Sequence, residues 1–391
     1  MSGKKIHSQF ICQPRYYSNF SCIGGKCPVN CCINWWINWE KEEVEKLKSA
    51  DCSESLRAII DSSFAENGEK YLISMDEKNR CPFLTEDNLC AIQRELGEEY
   101  LSIVCRTYPR KSQISGNTIV NYCYLSCYRV MDMLCSDKDC MILEKHLSSQ
   151  NMTNTLLLDT GVDYINHPEL KYRKEIFDFF YEIISDESHS LETSIVFGAV
   201  AAQSLTRVVK SGKYDMIPKS ISDIKVQLKN PEQIHKLENL KPNYGLKIGF
   251  AYKLNSVIFK SNLFDSISEN GAVSIDKYNI GLKNFYAAFE DSPFAMRNIA
   301  LNFLLELKMP FKNKEMSLLE NYCYFVAAIA LLKMLAASVY YSSADPGITF
   351  KNAASYLSRC FSHSKSNEKI VMDLFKELNC ASPAYIALIL K

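Results

Sequence analysis

Beyond about Ser148 the chain reads as one helical pattern after another. Apolar residues return every three or four positions over Glu169–Ser185, Ser190–Val209, Tyr278–Phe289, Pro293–Leu307, Met316–Tyr341, Ala353–Phe361 and Glu368–Leu378, which predicts helices. Pro218, Pro231 and Pro242 punctuate the middle of this stretch. Within Met316–Tyr341, the run from Tyr322 to Tyr341 is mostly apolar and long enough to span a bilayer. Lys333 near its middle, its many Ala and polar Tyr residues, and the lack of a second such run argue instead for the central helix of a bundle, without stable membrane insertion.

Before Ser148 the pattern is shorter and more broken. Residues 1–21 read as extended chain. The segment WEKEEVEKLKSA from Trp39 is helical, with acids in its first turns and lysines after them, as the helix dipole prefers. A second helix, SESLRAIIDSSFAEN, begins at Ser53, which is placed to cap it. Tyr71–Met75 reads as a short strand. Cys81–Leu84 and Leu89–Ile92 flank the turn Thr85-Glu86-Asp87-Asn88 as a small hairpin or knuckle, and helix resumes over Gln93–Val104. Residues 111–124 form a β-hairpin about Ser115-Gly116-Asn117, and Leu125–Leu134 returns to helix.

Composition narrows the chemistry. The chain has 391 residues, and its 45 Lys plus Arg balance 45 Asp plus Glu, so it lacks the net basic charge expected if nucleic acid were its main partner. Thirteen of its 16 cysteines lie at or before Cys140. Seven fall in two blocks. FSCIGGKCPVNCCINWWINW carries Cys22, Cys27, Cys31 and Cys32, and CPFLTEDNLCAIQRELGEEYLSIVCRTYPR carries Cys81, Cys90 and Cys105. Close thiolates are what zinc and iron–sulfur centres require, and Gly24, Gly25 and Pro28 let a short loop turn its side chains inward. The N-terminus shows no apolar signal-peptide core, so a reduced, cytoplasmic thiolate site is expected rather than a disulfide scaffold. The expected fold is mainly α. A cysteine-rich, loop-rich metal-binding unit with small β-hairpins occupies 1–147, and an all-helical region occupies 148–391.

Either centre uses up to four cysteines, so seven exceed the need of one. Neighbouring side chains diverge, so at least one of Cys31 and Cys32 is a candidate for packing or for supporting a ligand rather than binding metal, and Cys22 is the next candidate for that role. Cys27, Cys31, Cys81, Cys90 and Cys105 rank ahead. Trp35, Trp36 and Trp39 cannot share one helical face, and one or two of them pack over the site and keep it dry. Arg106 and Arg110 have the fork geometry to hold a carboxylate, and capping of the preceding helix or surface solvation is the plainer reading. Tyr100, Tyr108, Tyr122 and Tyr124 offer aromatic faces to cations but are ordinarily core residues. The six histidines form no ligand-spaced group, and none is assigned a catalytic role.

Over residues 12–128 the order Gln-Pro, F-S-C-I-G, C-P-x-x-C-C, C-P-F-L, C-x-I-Q, L-G-E-E-Y-L-S and C-R-T-Y-P-R resembles the signature of the flagellin lysine-N-methylases, the FliB family, within the cysteine-rich zinc/iron-chelating superfamily. The resemblance implies methyl transfer from S-adenosylmethionine to flagellin lysines. It also implies a [4Fe–4S] cluster held by the shared cysteines. For such a donor, the fork geometry of Arg106 and Arg110 makes them the candidates to bind its carboxylate. One departure is Ser126-Cys127-Tyr128-Arg129, where Ser-Cys-Pro-Glu is expected. No C-x3-C-x2-C radical motif and no Gly-rich dinucleotide loop is present. Two other readings stay open beside it: a zinc-stabilised, non-enzymatic adaptor for flagellin and, further off, an iron–sulfur oxidoreductase.

Overall fold

The computed structural model describes residues 10–34, 36–115, 118–147, 157–158, 166–259, 262 and 264–391. The chain is mainly α, as its pattern predicts, and the Leu318–Ser342 helix lies at its centre. A capping box starts this helix. The Ser317 hydroxyl accepts the Glu320 amide at 3.2 Å, and the Glu320 carboxylate accepts the Ser317 amide at 2.9 Å. Helices Leu191–Lys210, Tyr244–Ile258, Ile275–Ala288 and Pro346–Ser362 pack around it, so the segment long and apolar enough to cross a membrane is buried within the protein. Its tyrosines are satisfied there, Tyr322 donating to the Ile195 carbonyl and Tyr324 to the Phe361 carbonyl, each at 2.9 Å. Gly281 lets the Ile275–Ala288 helix approach closely, since a Cβ there would stand 1.9 Å from the Ala337 carbonyl oxygen.

Lys333, the one charge near the middle of this helix, pairs with Glu192 and donates to the Leu390 carbonyl at 2.9 Å. Burial pushes the Glu192 carboxyl up, but the Lys333 cation outweighs it and holds the group down at about 2.

The apolar interior falls into two clusters. The larger runs from Cys12 and Tyr16 through the helices to Leu390. The smaller gathers Trp39, Leu47, Ile60, Phe83 and Ile92, with Cys81, Cys90 and Cys105 at its edge. A five-stranded sheet joins the N-terminus to the larger cluster. In order it comprises Leu143–Leu147, Phe10–Pro14, Thr118–Cys123, Arg110–Ser115 and Leu157–Leu158. Phe10–Pro14 runs parallel to Thr118–Cys123, with Ile11 opposite Ile119, and antiparallel to Leu143–Leu147.

Several expectations change. The first 21 residues are not simply extended, because Arg15–Asn19 is helical after the Phe10–Pro14 strand. Ser53 does cap its helix, accepting the Leu56 amide at 3.2 Å, but that helix ends at Ser62 and Phe64–Asn67 turns into a strand against Lys70–Ile73. The helix expected over Gln93–Val104 is broken at Gly97, whose φ of +96° suits glycine, leaving Ala91–Glu95 and Ile103–Thr107. The hairpin over 111–124 forms as Arg110–Ser115 against Thr118–Cys123, while Gly116 and Asn117 of its turn lie outside the described residues. Pro218 and Pro231 open helices Ile217–Gln227 and Pro231–Glu238, because a first helical turn needs no proline N–H. The C-terminal region is not wholly helical, since Ser268–Glu269 and Ala272–Val273 form a small ribbon.

One buried carboxylate fixes the loop after the hairpin. Glu306 accepts the Leu125 amide at 2.8 Å and the Ser358 hydroxyl at 2.6 Å, with Ser362 donating to the same oxygen. Burial pushes its pKa up to about 7, against the pull of these donors.

Two outcomes follow. Glu192→Ala strands a buried lysine and costs about 3–5 kcal/mol in denaturant melts, whereas Glu192→Ala/Lys333→Met costs less. For Glu306, the raised pKa means that the folded state holds a proton that the unfolded chain gives up. Its contribution is full below 4.5 and is lost as pH rises through about 7. Thermal melts should therefore show Glu306→Gln gaining on the wild type between about pH 5 and about pH 8, and parallel curves would refute the assignment.

Candidate functional site

The two cysteine blocks are stitched by backbone. The Cys81 amide donates to the Cys32 carbonyl and the Asn34 amide to the Asn79 carbonyl, both at 2.8 Å, about an antiparallel bridge between Ile33 and Arg80. Asn30 works on both sides, accepting the Cys32 amide at 2.8 Å and donating to the Asn88 carbonyl at 3.3 Å. Gly25 lies so near the knuckle that a Cβ would come within 2.5 Å of the Asp87 carbonyl oxygen. The knuckle forms as expected, with the Thr85 amide donating to the Leu89 carbonyl and Leu84 bridging Cys90. Ser102 caps the next short helix by accepting the Cys105 amide at 3.1 Å, which fixes the third cysteine of the second block.

Three adjoining cavities result, and Tyr108 lines each of them. The inner one, about 100 Å³, is walled by Cys31, Cys32, Cys81, Cys90 and Cys105 together with Trp39 and Phe83. Trp39 is the tryptophan that keeps this side dry, at 1% exposure. Trp36 is 62% exposed, and Trp35 lies outside the described residues. The largest cavity, about 300 Å³, shares Cys31, Cys32, Cys90 and Cys105 with the first and adds Cys22, Cys27 and Cys127. The third, about 150 Å³, is lined by Asn34, Tyr108, Ser126, Arg359 and His363. All seven cysteines singled out in the sequence therefore border one continuous site.

The sulfurs feel one another. Burial raises the thiols of Cys27 and Cys90, pushes Cys81 to about 11, and pushes Cys105 and Cys127 to about 12, with Cys31 adding to the rise in each. Cys32 hydrogen-bonds Cys31, which lowers Cys31 and raises Cys32, and the Arg359 cation also favours a Cys31 thiolate. Backbone amides act on several sulfurs, those of Ile92 and Gln93 on Cys90 and those of Arg129 and Val130 on Cys127. All 16 cysteines are free thiols. Among the described residues, no group of three or more His, Cys, Asp or Glu side chains is arranged to hold a metal ion. The donor chemistry nonetheless fits a thiolate-bound centre, because a soft cation would take the place of the thiol protons and offset the mutual repulsion.

Arg106 and Arg110 both line the largest cavity. Arg110 donates to the Phe20 carbonyl at 2.8 Å and stacks over the Phe20 ring at 4.8 Å, so it also holds the entry to the cysteine loop. The buried Nε of Arg106 has no hydrogen-bond partner. At the sequence departure, Arg129 lines the same cavity and pairs with Asp132 at 2.7 Å, while Lys351 holds the other Asp132 oxygen at 2.7 Å. Tyr122 and Tyr124 pack edge to face at 5.9 Å, and Tyr122 is fully buried, as a core tyrosine should be. Tyr100 lies under Lys46, at 4.4 Å, against the smaller cluster.

Sequence reasoning missed Cys127, Ser126, Arg359 and His363. The first two had a local signal, since they stand in the Ser-Cys pair that follows the hairpin. Arg359 and His363 had none, because they arrive from a helix end more than two hundred residues away. Tyr108 Oη and Ser126 Oγ lie 3.1 Å apart, and Ser126 Oγ and His363 Nε2 lie 3.3 Å apart.

Comparison with known proteins bears on this arrangement. The model of the FliB lysine N-methylase C-terminal domain matches residues 177–389. The chain is 32% identical over 151 residues to proteins named lysine-N-methylase from Salmonella choleraesuis (strain SC-B67) and from Salmonella typhimurium, covering 37% of this chain and 37% of each relative. It is 33% identical over 141 residues to the flagellar biosynthetic protein FliU of Salmonella muenchen, covering 34% of this chain and 81% of that protein. The match thus spans little more than a third of the lysine-N-methylases. No solved structure matches. With more than half of the chain matched by the family model and most of FliU covered, the chain belongs to the FliB lysine N-methylase family.

Proposed function

We propose that the protein is a protein-lysine N-methyltransferase that moves methyl groups from S-adenosylmethionine to lysine side chains of flagellin, with a [4Fe–4S] cluster held by N-terminal cysteines. One observation carries this reading. A single cavity of about 300 Å³ is walled both by the thiols of Cys22, Cys27, Cys31, Cys32, Cys90 and Cys105 and by the guanidinium groups of Arg106, Arg110, Arg129 and Arg359. The names of the relatives, lysine-N-methylase and flagellar biosynthetic protein, support the reaction and the substrate.

The methyl donor, when bound, supplies an electrophilic carbon on a sulfonium, and a cluster in the thiol-lined part of the site supplies iron as a Lewis acid. The residues do the rest. Arg106, with its unpartnered Nε, presents a fork suited to the donor's carboxylate. Trp39 and Phe83 exclude water from the inner side of the thiols, where a weakly screened charge interacts more strongly. Tyr108 and Phe20 give the larger cavity aromatic faces for a cationic group. The setting is cytoplasmic, with flagellin as partner, without nucleic acid and without stable membrane insertion.

Co-expression of the cognate flagellin with this protein or with its Cys81→Ala/Cys90→Ala variant, followed by peptide mass spectrometry, tests the reading. Methylated lysines are expected with the wild type only. Their absence from flagellin exposed to folded, metal-loaded wild type would sink the methyltransferase reading and leave the non-enzymatic adaptor.

A further inference from the structure

A lysine reaches the protein from water as an ammonium, since its side chain holds its proton up to about pH 10.4. An ammonium carries three N–H donors and no acceptor, so the surface that receives it must supply acceptors. The guanidinium groups of the largest cavity only donate, and the charge of its thiols, once ionised, is shared with the metal they bind. One carboxylate lines this cavity among the described residues, that of Glu98. We propose that Glu98 docks the ammonium of the acceptor lysine at the mouth of the cavity, with Leu89, Ile23 and Val29 of the same lining carrying the methylene stem. The inference rests on the methyltransferase reading above and adds the residue that admits a lysine.

The short turn Glu98–Tyr100 that carries this acid is fixed on both sides. Gly97 precedes it at a φ of +96°, and Glu99 folds back over that glycine, where a Cβ would stand 2.6 Å from a Glu99 carboxylate oxygen. Lys46 donates to the Glu99 carbonyl at 2.7 Å and lies 4.4 Å from the centre of the Tyr100 ring. Ser102, fully buried, then caps the helix Ile103–Thr107, on which Arg106 stands. Two neighbouring elements thereby present opposite charges to one cavity, Glu98 for an ammonium and Arg106 for the carboxylate of the methyl donor. Among the described residues the Glu98 side chain makes no hydrogen bond and no ion pair within the protein, and it is exposed, so its oxygens are open to a partner from solution.

The wall matches both parts of a lysine. Such a side chain lays its apolar stem along apolar surface while its charged tip seeks a polar partner. Leu89 and Glu98 are both exposed while lining the cavity, which sets them at its mouth, and Ile23 and Val29 continue the apolar lining. An acidic side chain presented at the same place would meet a like charge in Glu98, so the contact also discriminates. It is made in the ground state, before the proton is lost and the methyl group moves. Glu98 therefore acts on the binding of the acceptor and not on the transfer itself.

The test is the steady-state kinetics of the holoenzyme on monomeric flagellin. Glu98→Gln, which keeps the shape and removes the charge, should raise KM for flagellin roughly threefold to fivefold and leave KM for S-adenosylmethionine where it was. Glu98→Asp should stay nearer the wild type, and Glu98→Lys should raise KM for flagellin beyond Glu98→Gln. The wild-type KM should also climb more steeply with salt than that of Glu98→Gln, because the variant has one charge pair fewer to screen. An unchanged KM for flagellin in Glu98→Gln, an equal rise in Glu98→Asp, or a fall in kcat with KM unmoved overturns this assignment and leaves the methyltransferase reading standing. A wild type that methylates nothing overturns both.

Discussion

The site depends on a short exchange of backbone hydrogen bonds between the stretch around Cys32 to Asn34 and the stretch from Asn79 to Cys81. Cysteine side chains are too small to pull distant loops together by apolar contact, and burial alone raises the cost of ionising them. The Cys81-to-Cys32 bond, the bridge at Ile33 and the close approach permitted by Gly25 hold both blocks face to face. Cys31 thereby comes within electrostatic reach of the thiols contributed by the second block and by the loop after the hairpin. Folding gathers protonated thiols around a cavity, which is the state from which a soft metal centre binds with release of protons.

The helical body is more than a support. It reaches the cysteine unit through Glu306, which anchors the loop at Leu125, and through the end of helix Pro346–Ser362, which delivers Arg359 and the following His363. These groups have no meaning in the helical region by itself, where a buried carboxylate would be a liability. They become intelligible against the loop Tyr124–Cys127, which they hold and complete. The same logic applies to the Lys333–Glu192 pair, where a buried charge is tolerated because its partner and a carbonyl are fixed around it.

What could be read from the sequence was what short-range chemistry writes into it. The cysteine spacing, the Thr85–Asn88 knuckle, the Ser53 cap, the hairpin near Cys123 and the apolar helix around Lys333 are signalled within a few residues of themselves, and they stand where they were expected. The break at Gly97 was visible only as a glycine inside a helical pattern, because a pattern does not say which conformation a glycine will take. Pro218 and Pro231 were read as interruptions and are helix starts, since a proline marks a boundary without saying on which side the helix lies. Arg359, His363 and Glu306 were illegible because periodicity tells which face of a helix is buried and not what it is buried against.

The claim on which the account turns is that these thiols are ligands. Purifying the protein under anaerobic conditions, then measuring iron and acid-labile sulfide per chain alongside its Mössbauer spectrum, tests that claim most directly. The account predicts iron and sulfide in equal amounts, about four of each per chain, in a cluster bound through cysteine sulfur. Zinc in place of iron, or a folded protein without bound metal that still methylates flagellin, would contradict it.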